Sequence, residues 1–147
     1  MEFDYQLSGT GWARGYLKIN NKKFNFIASY LTDALNDLLK SLLIITPKCV
    51  PYPQKKSSFI MEQEPERTVW KFETQDDKNV FITIVNKNEA VVFQEQCLLD
   101  DLLTVVVKSI SKLLKKHGIK GYKKSWVNYE FPLDEYQRLH NYINKAD

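Results

Sequence analysis

The chain has 147 residues, of which 44% are hydrophobic and 13% aromatic, and its formal net charge is +3. This length and composition exclude a disordered chain and predict a single domain over 1–147 that buries its own core. A charge of +3 is too small to indicate a nucleic-acid partner by itself.

Three strands are predicted at the start of the chain, because apolar and polar side chains alternate there. The first covers 3–7, the second runs through Leu17 and Ile19, and the third covers 24–28. Asn20 and Asn21 predict a hairpin turn between the second and third strands, since asparagine tolerates a positive φ.

The period then changes to that of an amphipathic helix over 30–44. Its apolar stripe consists of Leu31, Ala34, Leu35, Leu38, Leu39, Leu42 and Leu43. Ser29 is the predicted N-cap, and Pro47 marks the end of the helix. Residues 46–56 contain three prolines and three lysines, which predicts a stiff, exposed loop.

An antiparallel meander of four strands is predicted next. Its strands lie over 57–62, 68–74, 80–85 and 90–94, and turn-rich segments separate them. On the second of these strands, Trp70 and Phe72 share one face, so Lys71 and Glu73 point the opposite way.

Helices are predicted to dominate the rest of the chain. A long helix covers 98–117, and Gly118 forms a left-handed cap with Ile119 as its hydrophobic contact. The segment GYKKSW (121–126) is interpreted as extended, and Pro132 opens a last helix.

Strands grouped with strands indicate an α+β fold and not an alternating parallel one. We expect one antiparallel sheet of about five to seven strands. Two main helices and a C-terminal helix should pack on one face of it.

Targeting and redox signals favour the cytoplasm. No segment approaches the roughly 18 apolar residues of a membrane span, and the first ten residues do not resemble a signal peptide. Cys49 and Cys97 lie far apart and lack metal-binding spacing. We expect two free thiols and no membrane contact; a single disulfide is the alternative.

The sequence offers no recognisable catalytic centre. Its two histidines are predicted to cap a lysine-rich helix (His117) and to lie at the edge of the core (His140). The five glycines form no phosphate-binding loop, and no metal motif is present. We therefore expect no enzyme activity, no cofactor and no metal site.

Two blocks of opposite charge remain. Residues 57–101 hold ten acidic and four basic residues, whereas 102–124 hold seven lysines and no acid. The acidic block predicts a protein-binding surface made of Glu62, Glu64, Glu66, Glu73, Asp76 and Asp77. The alternative basic surface consists of Lys112, Lys115, Lys116, Lys120, Lys123 and Lys124, with Tyr122 and Trp126 interleaved as in single-strand binders. Either block also fits an ordinary solvated face.

Several stretches resemble a known class of proteins. GTGWA (9–13), ASYLTDALNDLL (28–39), and GYKKSW followed by FPLDEY (121–136) are similar to a group of small, uncharacterised bacterial proteins. Proteins of that kind occur among the immunity proteins of contact-dependent growth inhibition and related polymorphic toxin systems. The resemblance covers most of the chain in the order of its elements. It implies a cytoplasmic protein that binds and blocks a toxin domain, commonly a nuclease.

One feature departs from that class, because immunity proteins against basic nucleases are often acidic overall and this chain is slightly basic. Our leading hypothesis is a non-catalytic protein-binding module whose partner is a toxin domain. The alternative is a nucleic-acid-associated protein that uses the basic segment 108–124.

Overall fold

The computed structural model describes residues 1–127 and 129–145, and their strands belong to two antiparallel sheets. The first sheet contains β1 (Glu2–Leu7), β2 (Trp12–Ile19) and β3 (Lys22–Ser29) in that order. Asn20 has a φ of +57° in the β2–β3 turn, as its sequence predicts. A side chain at Gly15 would collide with the Asp4 carbonyl, so β1 and β2 can pair there only with glycine.

The second sheet is the predicted meander. It contains β4 (Lys56–Glu62), β5 (Arg67–Thr74), β6 (Asn79–Asn86) and β7 (Val91–Leu98), each paired with the next. The last strand continues four residues beyond the predicted end at 94. A β-bulge between Ile84 and Val85 shifts its register with β6.

The prediction of a single sheet with five to seven strands is wrong, because the strands divide into sheets of three and four. A helix covers one edge of each sheet, β1 in the first and β4 in the second, so no further strand can pair at those edges. The Tyr5 backbone N–H donates to Ser109 Oγ at 3.0 Å from the helix beside β1. At the outer edge of β4, Ser57 Oγ donates to the Ser41 carbonyl at 2.8 Å.

The helices are α1 (Ala34–Ile44), α2 (Leu99–Trp126) and α3 (Leu133–Asn144). Helix α1 packs beside β4, α2 beside β1, and α3 against both helices. The three helices therefore flank two sheets and do not share one face of a single sheet, contrary to the sequence-based prediction.

Helix α1 begins four residues later than predicted, and Asp33 takes the N-cap position predicted for Ser29. The Tyr30 backbone N–H donates to the Gly11 carbonyl at 3.0 Å, which holds the start of this segment on the β1–β2 loop. The Ser29 hydroxyl instead accepts a weak hydrogen bond from the Leu31 N–H at 3.4 Å.

The first helical part of α2 ends at Gly118, whose positive φ agrees with the predicted break, and a second helical part follows, so the extended segment predicted over 121–126 is wrong. Gly118 forms a kink with φ of 69° and ψ of 172°, and helix resumes beyond it. Ile119 is exposed and makes no buried cap contact. Tyr122 and Trp126 stand four residues apart and are fully buried, so core packing favours helix there.

An aromatic cluster joins the two sheets into one continuous core. The ring of Trp70 lies 5.9 Å from Phe24, 5.3 Å from Phe26 and 5.5 Å from Phe59. Two of these phenylalanines belong to β3 and the third to β4. Polar contacts continue the junction at the surface, where Lys22 Nζ lies 3.3 Å from a Glu95 carboxylate oxygen.

Candidate binding surfaces

The second sheet has an open face, as the alternation along β5 predicts. Trp70 and Phe72 are buried, whereas Lys71 and Glu73 are exposed on the opposite side. Strand register places Ser58, Thr83 and Gln94 beside Lys71, and Lys56, Phe81 and Gln96 beside Glu73.

Apolar side chains are exposed on this open face. Phe81 and Leu98 are 38% and 48% exposed near the β5–β6 turn. Ile60, Val91 and Val92 are exposed toward the opposite end of the strands. The open face of the first sheet has one large exposed hydrophobic residue, Ile27, among the described residues. A concentration of exposed apolar area on one face is typical of a docking surface.

A loop aromatic lies at the Phe81 end of the sheet. Tyr52 is 86% exposed within the proline-rich connection between α1 and β4. The Lys55 carbonyl accepts a hydrogen bond from the Thr74 backbone N–H at 2.8 Å, which ties this connection to the end of β5. Sequence reasoning predicted the exposed loop but did not single out its tyrosine.

The six predicted acidic residues do not form one patch. Glu62, Glu64 and Glu66 lie at the β4–β5 end of the sheet. The other three, Glu73, Asp76 and Asp77, lie at the β5–β6 end.

Most of these carboxylates already have partners. Three form ion pairs, which are Glu62 with Arg67 at 3.9 Å, Glu66 with Lys87 at 2.9 Å and Glu73 with Lys56 at 3.7 Å. Asp76 accepts hydrogen bonds from the backbone N–H groups of Asn79 and Lys78, which lower its pKa. Within 1–127 and 129–145, only Glu64 and Asp77 of the six make neither kind of contact.

The predicted basic surface is divided by the Gly118 kink. Lys112, Lys115 and Lys116 are exposed on α2 before the kink. Lys120, Lys123 and Lys124 follow it, and Lys123 pairs with Glu130 at 3.2 Å. Tyr122 and Trp126 are fully buried and cannot offer the aromatic surface that the sequence suggested.

A cleft of about 510 Å³ lies between α3, the start of α2 and the segment after α1. Two pairs of its polar groups are hydrogen-bonded to each other. The Tyr142 hydroxyl donates to an Asp100 carboxylate oxygen at 2.8 Å, and Arg138 Nη2 donates to the Cys49 carbonyl at 2.6 Å. Sequence reasoning missed this cleft because residues far apart in the chain line it.

The two cysteines are free, as predicted. Burial raises the pKa of the Cys97 thiol to about 12, with the charges of Asp101 and Glu95 acting in the same direction. Burial also raises the pKa of the Cys49 thiol. Neither cysteine is therefore a thiolate at neutral pH, which is the form that nucleophilic chemistry needs.

No group of three or more His, Cys, Asp or Glu side chains that could hold a metal ion occurs among the described residues. None of their helices is both long and apolar enough to cross a membrane.

Buried polar groups gather where β1, the start of α1 and the second part of α2 meet. The Tyr5 and Tyr122 hydroxyls and Trp126 Nε1 are buried and form no hydrogen bond within the described residues. Burial raises the pKa of both tyrosines, and the charge of Asp33 adds to this effect. Burial, followed by the charge of Asp37, raises the pKa of Asp33 itself to about 6.

We predict that Asp33→Asn stabilises the protein above pH 6 by about 1 kcal/mol, a value reduced for solvent screening of a half-buried group. The raised pKa means that the folded state binds a proton more tightly than the unfolded state. The contribution of Asp33 to the free energy of unfolding of the wild type should therefore become more favourable as pH falls from about 7 to 4. Asparagine caps a helix as well as aspartate, so cap loss should not mask the effect.

Urea unfolding of wild type and Asp33→Asn at pH 4.5 and 7.5 measures this effect. The difference between the two proteins should be larger at pH 7.5. Asp77→Asn is the matched control, because Asp77 is exposed. An equal difference at both pH values would show that Asp33 has an ordinary pKa.

Comparisons with known proteins do not assign the chain to a family. No family model matches it, and neither a curated protein nor a solved structure does.

Proposed function

We propose that this protein is a non-catalytic binding module that docks a partner protein on the open face of its four-stranded sheet. The observation that carries this proposal is the exposure of Ile60, Phe81, Val91, Val92 and Leu98 on that sheet. Following the resemblance to immunity proteins, the proposed partner is a toxin domain in the cytoplasm, and a nuclease is the leading class.

The proposed mechanism is occlusion of the toxin surface. Phe81 and Leu98 supply apolar anchors, and Tyr52 supplies an aromatic one at the same end of the sheet. Such buried anchors govern the dissociation rate, whereas charged turns at the rim accelerate the encounter. Glu64 and Asp77 suit the second role, since neither carboxylate is ion-paired within the described residues.

The alternative function, association with nucleic acid through 108–124, ranks second. Lysines of α2 such as Lys112 and Lys115, which form no ion pair within the part of the chain that the structure describes, favour it. Burial of Tyr122 and Trp126 weakens it, because sequence-tolerant binding of single strands relies on exposed rings for base stacking.

We predict that Glu64→Lys combined with Asp77→Lys slows association with a basic partner about 3- to 10-fold at low ionic strength. High salt should reduce the effect, because mobile ions screen exposed charges. Stopped-flow mixing at two ionic strengths measures it. Glu130→Lys serves as the control because Glu130 pairs with Lys123, away from this sheet. Unchanged association at low salt would place the docking surface elsewhere.

Affinity capture from the native cell tests the function itself. Wild-type protein should retain a partner that a variant carrying Phe81→Arg and Leu98→Arg does not retain. The captured domain, expressed alone, should arrest growth. A partner that is retained by the open face but does not affect growth would support a binding module and contradict the immunity role.

A further inference from the structure

A groove between α2 and α3 lies apart from the proposed docking face. It encloses about 350 Å³. Lys108, Lys112 and Lys115 line it from α2, at spacings that place them along one side of the helix. From α3, His140 and Asn144 face them, also one helical turn apart.

The charge of this groove is not compensated by any acidic side chain among residues 1–127 and 129–145 that line it. Within the described residues, none of the three groove lysines forms an ion pair. Like charges four residues apart on a helix repel each other, so Lys108 and Lys112 weaken α2 slightly. A bound anion would relieve that repulsion.

Hydrogen bonds order other side chains in and beside the groove. The Asn144 side-chain amide donates to the His140 carbonyl at 2.9 Å and lies 3.1 Å from Nε2 of the same residue. Ser111 Oγ and the Tyr136 hydroxyl lie 2.6 Å apart. The groove therefore offers hydrogen-bonded polar groups beside three lysine ammonium groups. Val107 and Ile143 supply the apolar part of its lining.

The composition of the lining indicates the kind of anion. His140 is the one aromatic ring among the described residues that line it, so the groove offers little stacking surface for bases. Lysines bind phosphate as separate point charges that can adjust to several oxygens. A compact chain of phosphates fits this arrangement better than an extended single strand.

We propose that the α2–α3 groove binds a polyphosphate group, with Lys108, Lys112 and Lys115 as its charged ligands. The group could belong to an inorganic chain or to the tail of a nucleoside triphosphate, since both present the same phosphate oxygens. This site is independent of the docking face, so either assignment can fail without the other.

Isothermal titration of the full chain with inorganic tripolyphosphate tests the site, with ATP as the second arm. Saturable binding is expected in both arms, and tighter binding of ATP would identify a nucleotide source. Combining Lys108→Gln, Lys112→Gln and Lys115→Gln should weaken tripolyphosphate binding more than tenfold. A control with Lys120→Gln and Lys124→Gln, beyond the kink, should bind like wild type. Circular dichroism checks that both variants are folded.

Three results would overturn the proposal. The first is equal binding by wild type and the triple variant. The second is the absence of saturable binding of tripolyphosphate. An equal heat from sulfate at matched ionic strength counts with it, because it would show only general screening of the lysine charges. The third is an oligonucleotide that binds more tightly than tripolyphosphate and depends on Lys120 and Lys124, which would favour the nucleic-acid function. A ligand-induced shift of the His140 ring resonances in wild type would locate the anion in the groove.

Discussion

Replacing Trp70 with alanine is expected to lower the free energy of unfolding by about 3–5 kcal/mol. The indole ring is 1% exposed and contacts Phe24 and Phe26 of one sheet and Phe59 of the other. Its Nε1 also donates to Thr68 Oγ1 at 3.1 Å. The substitution would leave a cavity where the two sheets meet, and few neighbouring side chains could fill it without moving a strand.

Denaturant unfolding at fixed pH measures this loss. Lys71→Ala is the matched control, because Lys71 is the next residue on β5 and points to solvent. It should change stability by less than about 0.5 kcal/mol. A loss below about 1 kcal/mol for Trp70→Ala would mean that the aromatic cluster does not hold the sheets together.

Replacing both Phe81 and Leu98 with arginine is expected to weaken partner binding at least about 100-fold. Both substitutions remove apolar anchors and place charges that would be desolvated on docking. Both side chains are already more than a third exposed in the free protein. The same double variant should therefore lose little folding stability, which separates a binding defect from a folding defect.

Biosensor measurement with the captured partner gives the change in Kd. The rise in Kd should come mainly from a faster dissociation rate. Ile27→Arg is the control, since Ile27 is equally apolar and 51% exposed on the other sheet. Loss of binding with Ile27→Arg and not with the double variant would move the docking surface to the first sheet.

Local sequence patterns predicted the strands well, because alternation reports which side chains face the core. All seven described strands lie within a few residues of the predicted segments. The division into two sheets could not be predicted in this way. It depends on contacts between residues distant in sequence, such as the Tyr5 N–H with Ser109 Oγ. Alternation carries no information about which edge a helix will cover.

The predicted helix boundaries were wrong for a related reason. Tyr30 is held by Gly11, and Tyr122 and Trp126 enter a core built by other segments. The local spacing of apolar residues in the sequence shows neither effect. GYKKSW contains no alternation and no strong helical stripe, so its helix follows from burial and not from propensity.

The candidate site was predicted in part. Alternation along β5 places Lys71 and Glu73 on an open face, and that placement is confirmed. The acidic residues were grouped by their closeness in sequence, whereas the meander separates them to two ends. Ion pairs such as Glu73 with Lys56 depend on strand register, which sequence reasoning had not established.

Growth of cells that co-express the captured partner domain tests the central claim most directly. Wild-type protein and Ile27→Arg should restore growth at matched expression levels. The variant carrying Phe81→Arg and Leu98→Arg should remain folded and fail to restore it. Equal rescue by this variant and wild type would contradict docking on the open face of the four-stranded sheet.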